Sequence, residues 1–391
     1  MDTTRGVSQI PATITSTEAA ARAWDVVVIG AGPAGAWVAA RLATAGLATL
    51  LVERKTFPRD KVCGGCLNRE ALARLDAAGL AHQLRAQGGP ALSSLHLHAR
   101  HRRADVPLRG GLAISRATLD SVLVRHAVEA GCAFLPDTSA FVKPSDGREA
   151  GREDERQVSL ELRGGVRVAV SARVVVVAAG LGQQALRGVA LRDVVETGAR
   201  VGVGVVAPAD IVEATDGVIT MVVGRGGYVG GTRVEGGRVN LAAACDASFL
   251  KEAGGPGAAV RRLLASAGVG ATTALEGLEW QGTVPLTRRL PSPVSHRVFV
   301  IGDAAGYVEP FTGEGMAWAL AAADALAPLA ARAAVTWTHN VEQTWLETYE
   351  RLVRRHQVKC RVIARTLRHP RMVDAIVAVL ARRPGFASPF V

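Results

Sequence analysis

Asp25-Val26-Val27-Val28-Ile29-Gly30-Ala31-Gly32-Pro33-Ala34-Gly35 is a β-branched run that ends in closely spaced glycines. Residues 25–30 read as a strand buried on both faces, as in a parallel sheet. Residues 34–45, rich in Ala and Leu, read as a tightly packed helix, and 48–53 as a second strand. The glycines fit G-x-G-x-x-G, a weak pattern alone. Here it follows a strand and opens a helix, as its mechanism requires. Gly30 allows the tight turn, Gly32 lets the backbone approach a pyrophosphate, and Gly35 allows helix and strand to pack closely. The helix start at Pro33 and Ala34 turns N–H groups and a positive dipole end toward the phosphates. Glu53 ends the second strand, where a carboxylate accepts hydrogen bonds from ribose hydroxyls.

A nicotinamide enzyme would share this unit. A second segment separates the two readings. Val298-Phe299-Val300-Ile301-Gly302-Asp303 is another buried strand ending in a tight turn. A carboxylate at Asp303 suits the ribityl hydroxyls of a flavin. The following Glu309-Pro310-Phe311-Thr312-Gly313-Glu314-Gly315 leads into a helix at about 313–330. Its N–H groups would face the pyrimidine edge of the ring, where they stabilise negative charge. The nucleotide implied is non-covalent FAD.

The 391 residues suit one large two-part domain or two domains. Nearly half are apolar (49%), with 43 glycines and few aromatics, a soluble α/β composition. No charge-free apolar run reaches membrane-span length. Residues 1–24 carry Asp2 and Glu18, lack an apolar core, and read as a flexible extension rather than a signal peptide. Five scattered cysteines suit a reduced, cytoplasmic protein. The net charge is +11. From Asn340 to Val391 ten Lys/Arg face four Asp/Glu, so over half of the excess lies in the C-terminal helices. A solvated face is the plain reading. The functional one is a peripheral membrane or acidic carrier contact. No recognition motif points to nucleic acid.

The order of elements implies interleaving. Further strands are expected at 173–178, after a hairpin over 157–172 turning at Gly164-Gly165, and a helix at 116–130. Short Val/Gly segments over 200–245 read as an antiparallel sheet. The expected architecture is α/β, with a discontinuous Rossmann-like FAD-binding domain of the reductase/hydroxylase type (25–90, 109–190 and 286–330). An antiparallel substrate domain (91–108 and 191–285) is inserted into it, and helices fill 331–391. His96, His98 and His101 lack a carboxylate among them and read as a partly exposed hairpin, not a metal site.

The chain resembles the flavoprotein family that includes geranylgeranyl reductases and hydroxylases of the p-hydroxybenzoate hydroxylase type. The matching residues are Gly30–Gly35 with Glu53, Ile114-Ser115-Arg116 with Leu119-Asp120, Val176–Gly180 and Gly302–Gly315. The resemblance implies FAD contacts from Arg116 and Asp303 and extends the contact set to Arg54, Ala179, Gly180 and Met316. Arg59-Asp60-Lys61-Val62-Cys63-Gly64-Gly65-Cys66 resembles the reductase segment that lies beside the isoalloxazine. Cys63, Gly64 and Gly65 would contact the flavin, because glycines let the backbone pass close to a flat ring. Cys63 and Cys66 also form C-x-x-C, a candidate redox pair. No second Cys/His pair supports zinc. Gly226-Gly227-Tyr228-Val229-Gly230 resembles a strand over the substrate cavity, which makes Tyr228 a candidate contact. Two departures stand out. The tryptophan expected soon after Tyr228 is missing, and Ala179 precedes Gly180 where the family has Asp-Gly. That aspartate is linked to NAD(P)H binding, so the electron donor is either NAD(P)H or a separate reductase.

The leading expectation is C–C bond reduction or dehydrogenation in an apolar, isoprenoid- or polyketide-like molecule. The alternative is a flavin monooxygenase that hydroxylates an aromatic or polyketide substrate. A third is a prenyl-binding escort protein without catalysis. Halogenation ranks low, since no Trp-x-Trp-x-x-Pro segment is present.

Overall fold

The computed structural model describes residues 8–144, 154–309, 311 and 313–387. Strand β1 (Trp24–Ile29) leads into helix α1 (Pro33–Thr44) and strand β2 (Thr49–Val52). The hairpin β3 (Ser94–Ala99) and β4 (Arg102–Pro107) follows, then helix α2 (Arg116–Glu129) and strand β5 (Arg167–Val177). Next come β6 (Val201–Ala207), β7 (Val218–Gly224), β8 (Gly227–Arg233), β9 (Val239–Cys245), β10 (Gln281–Pro285) and β11 (Val298–Val300). Helices α3 (Gly315–Val335), α4 (Arg355–Thr366) and α5 (Pro370–Arg382) close the chain.

Two large sheets divide these strands. In the first, β11, β5, β1 and β2 lie side by side and parallel. Val26, Val27 and Val28 of β1 have no exposure, because helices cover both faces. The Ala-rich α3 packs on α1, and Trp37 Nε1 donates to Asp324 across the pair at 2.8 Å. Although α3 has the length and hydropathy of a membrane span, its window is 61% buried and it serves as a core helix. It runs to Val335, past the expected boundary at 330. The hairpin expected over 157–172 exists, but its second strand is continuous with the buried run, as one long β5.

The second sheet has the order β10-β6-β9-β8-β7-β3-β4. It therefore joins the 91–108 and 201–285 segments. It is not purely antiparallel: β7 and β3 pair in parallel, with Val218 opposite Ser94 and Val223 opposite Ala99. These strands come from separate segments, so no hairpin forces them to run oppositely. Val194–Val195 stays outside this sheet and pairs with Arg288–Arg289 instead.

The N-terminal segment differs most from expectation. Residues 8–24 are not a flexible extension. Thr15 and Glu18 form a capping box on the helix Ser16–Ala21, and Ala19 is fully buried. Thr13 N–H donates to Phe134 O at 3.0 Å, and Ile10 is buried against the core.

Candidate active site

The β1–α1 turn shows why each glycine is needed. Gly30 has φ +102°, and a Cβ on Gly35 would overlap its carbonyl oxygen. Gly32 is different: a Cβ there would meet only the ends of Arg116 and Arg59, at 3.6 and 3.8 Å. Gly30 and Gly35 close the turn, whereas Gly32 leaves an approach toward two guanidinium groups. Gly32 also caps α1 without a side-chain bond, so first-turn N–H groups have no side-chain acceptor. This cradle fits a dinucleotide pyrophosphate.

Glu53 holds the turn. It accepts from Ala31 N–H at 2.9 Å and from Lys55 N–H at 3.2 Å. Arg59 bridges Glu53 (3.4 Å) and Asp120 (3.3 Å). Arg116 makes a bidentate pair with Asp120, both bonds 2.8 Å, in the buried start of α2. Burial opposes the Arg116 charge, but Asp120 outweighs it and keeps the guanidinium protonated above its usual range. Ser115 caps α2, and its own N–H and hydroxyl donate to Glu235. The cap thus fixes where Arg116 starts.

Facing this end, Gly302 adopts φ +62° against Ala34, and Asp303 meets Lys61 Nζ at 3.3 Å. A Cβ on Gly180 would fall 3.1 Å from the same Lys61 Nζ. The start of α3 presents Gly313, Glu314, Gly315 and buried Met316 to one continuous cavity, with no side-chain cap on the helix. That cavity measures about 1310 Å³. It exceeds the ~1,000 Å³ upper range of ordinary ligand pockets, so it has room for a dinucleotide and a second molecule. Gly32, Pro33, Lys61, Arg116 and Asp303 line its polar end. Leu95, Leu97, Val106, Ile219 and Met221 of β3, β4 and β7 line its apolar end, together with Val362, Ile363, Leu367 and Leu380 of α4 and α5.

Most of the expected cofactor residues converge on this cavity, with exceptions. Arg54 is exposed and outside the cavity lining. Arg59 stands at the nucleotide turn instead, where the charges of Glu53 and Asp120 draw it. Lys61 and Tyr307 also line the site. Neither was singled out, because both reach it from loops distant in sequence. Gly65 has φ +69° and faces Asn240, which donates to Cys63 O at 2.8 Å. Gly64 and Cys63 are the members of that segment that reach the cavity. Pro310 lies outside the described residues.

The candidate catalytic residues behave differently. Tyr228 is buried beside Phe311 (ring centroids 5.3 Å) and does not line the cavity. Its hydroxyl has no hydrogen-bond partner among the described residues, and burial pushes its pKa well up. Cys63 and Cys66 are free thiols in the cavity wall. Burial, then Cys63, pushes the Cys66 thiol up to about 12, opposite to the lowered value of a redox-active cysteine. His96 and His98 sit on the β3–β4 hairpin, and His96 meets Asp105 across it at 3.7 Å. No group of His, Cys, Asp or Glu among the described residues is arranged to hold a metal.

Comparison with known proteins agrees with this geometry. The profile of a family described as an FAD binding domain matches residues 23–366. Menaquinone reductase of Mycobacterium tuberculosis is 35% identical over 159 residues, which is 37% of this chain and 35% of that protein. The chain therefore matches about a third of the length of this relative. A triple mutant of the flavin-dependent brominase Bmp2 superimposes with a TM-score of 0.75 at 18% identity, covering 92% of this chain and 94% of that one. A geranylgeranyl bacteriochlorophyll reductase-like protein of Thermoplasma acidophilum gives 0.75 at 16%, covering 93% and 92%. At such identities these two likenesses show the fold.

Proposed function

The chain belongs to the FAD-binding-domain family and has the fold of FAD-dependent oxidoreductases and monooxygenases, and from that premise we propose that it reduces or dehydrogenates a C–C bond in an apolar, isoprenoid- or polyketide-like small molecule. One observation carries this reading: the nucleotide cradle and a long aliphatic chamber form a single cavity. Bound FAD would supply hydride transfer. The chain would do the rest. Arg59, Arg116 and the α1 N-terminus hold the pyrophosphate, Glu53 the ribose and Asp303 the ribityl chain. The α3 N-terminus faces the pyrimidine edge. Leu95, Leu97, Ile219 and Met221 exclude water and align an apolar substrate. The relatives named menaquinone reductase fit this character, since menaquinone is a quinone with an apolar isoprenoid chain. With Ala179 in place of a carboxylate beside Gly180, electrons come from a separate reductase.

The test uses purified, FAD-loaded protein, reduced chemically under strict anaerobiosis and given an isoprenoid quinone. A product gaining two hydrogen atoms without oxygen is expected. Product formed only with dioxygen, and carrying its labelled oxygen atom, would establish the hydroxylating alternative. A protein that takes up no FAD would overturn the reading and leave the escort role.

A further inference from the structure

Between Val358 and Phe386 the surface is unusually apolar. Val358, Val362, Met372, Ile376, Val379 and Phe386 are each 42–59% exposed. These are six of the eleven large exposed hydrophobics among the described residues, a density well above scattered surface apolars. Helix α5 is apolar on opposite sides. Val373 and Val377 are buried against the β3–β4 hairpin, while Met372, Ile376 and Val379 point outward. A surface helix needs one apolar face, so the second is unpartnered. All six except Met372 also line the cavity. The exposed patch is therefore the mouth of the apolar chamber.

Charge surrounds this mouth. From Arg355 to Ala387 there are eight Lys/Arg and one carboxylate, Asp374, which is already paired with Arg102 at 3.2 Å. Arg351, Arg355, Lys359, Arg365, Arg371, Arg382 and Arg383 have no carboxylate partner among the described residues. An apolar face set among unpaired cations matches the acyl region and anionic headgroups of a bilayer.

We propose that the α4–α5 face docks on an anionic lipid bilayer, so that the chamber opens into the acyl chains and a lipid-soluble substrate enters without crossing water. Docking stands on the surface alone. Substrate passage rests on the function proposed above.

The test is co-sedimentation of the full chain with phosphatidylcholine vesicles, with and without phosphatidylglycerol at roughly one lipid in three. Binding to the anionic vesicles is expected, weakening as salt rises from about 0.1 to 1 M. Arg351→Glu with Arg355→Glu, Arg365→Glu and Arg371→Glu should reduce partitioning at least about 100-fold. Met372→Asp should reduce it about 10-fold. These residues lie outside the cavity lining, so an unchanged FAD spectrum certifies the fold of each variant. Absence of vesicle binding, equal binding to both vesicle types, or variants that bind like the parent overturn the proposal. So does a stable dimer broken by Met372→Asp, or capture of an acidic carrier protein with no affinity for vesicles. FAD uptake without vesicle binding sinks the docking and spares the proposed function. Vesicle binding without FAD uptake does the reverse.

Discussion

Gly32→Ala and Gly35→Ala should fail in opposite ways, although the glycines stand three residues apart. A Cβ on Gly35 overlaps the Gly30 carbonyl and lies 3.1 Å from Ala178 Cβ. Both neighbours are in the packed β1–α1–β5 layer, so the helix must move off the sheet. Overpacking of this kind costs about 1–3 kcal/mol. At Gly32 the backbone has φ −76° and ψ −176°, open to any residue, and the nearest atoms are movable arginine ends at 3.6 and 3.8 Å. Alanine there restricts the unfolded chain and should stabilise apoprotein by about 0.4–1 kcal/mol. The added methyl instead occupies the approach of a phosphate oxygen. Loss of one charge-assisted hydrogen bond, about 1.5–3 kcal/mol, lowers FAD affinity roughly 10- to 150-fold. Thermal unfolding of apoprotein and FAD titration by fluorescence quenching separate the effects. Equal loss of apo stability in both variants, or Gly32→Ala binding FAD within about twofold of the parent, would refute the division of roles.

Tyr228→Phe removes a buried hydroxyl that has no partner. It should leave turnover unchanged and hold or raise the melting temperature, by up to about 1 kcal/mol of stability; a large fall in kcat would make Tyr228 catalytic. Asp303→Ala should weaken FAD binding about 10-fold or more through the lost ribityl contact, read by the same titration, and unchanged affinity would remove that role. Cys66→Ser should keep turnover within about twofold, because a thiol raised to about 12 stays protonated and inert at neutral pH. Alkylation of Cys66 should accelerate only as pH climbs toward that value, and fast labelling at neutral pH would contradict it.

Local patterns were enough for the nucleotide scaffold. The valine runs of β1, β5 and β11 and the spacing of Gly30, Gly32 and Gly35 report backbone requirements that act over a few residues. The Gly302-Asp303 turn did the same for the flavin end, and the resemblance extended that set to Arg116. Other features carried weaker signals. Arg59 lies within a segment that drew notice for its glycines and cysteines, yet its place depends on Glu53 and Asp120 meeting in space. Arg54, beside Glu53 in the chain, points away. Tyr228 sits in a glycine-rich strand that does reach the cavity through Gly230 and Gly231, but strand alternation turns the tyrosine to the other face. The docking of residues 8–24 rests on pairings with Phe57 and Phe134 that no window of sequence contains.

Sequence alone determined that this chain builds a parallel-sheet nucleotide fold with an FAD-type turn at each end, because those turns impose strict backbone conditions on neighbouring residues. Tertiary structure decided which charges surround the phosphate cradle, that β3 and β7 run parallel, and that the C-terminal helices wall the apolar chamber together with the sheet. Those outcomes depend on packing between segments more than a hundred residues apart, where burial and charge pairing act through space rather than along the chain.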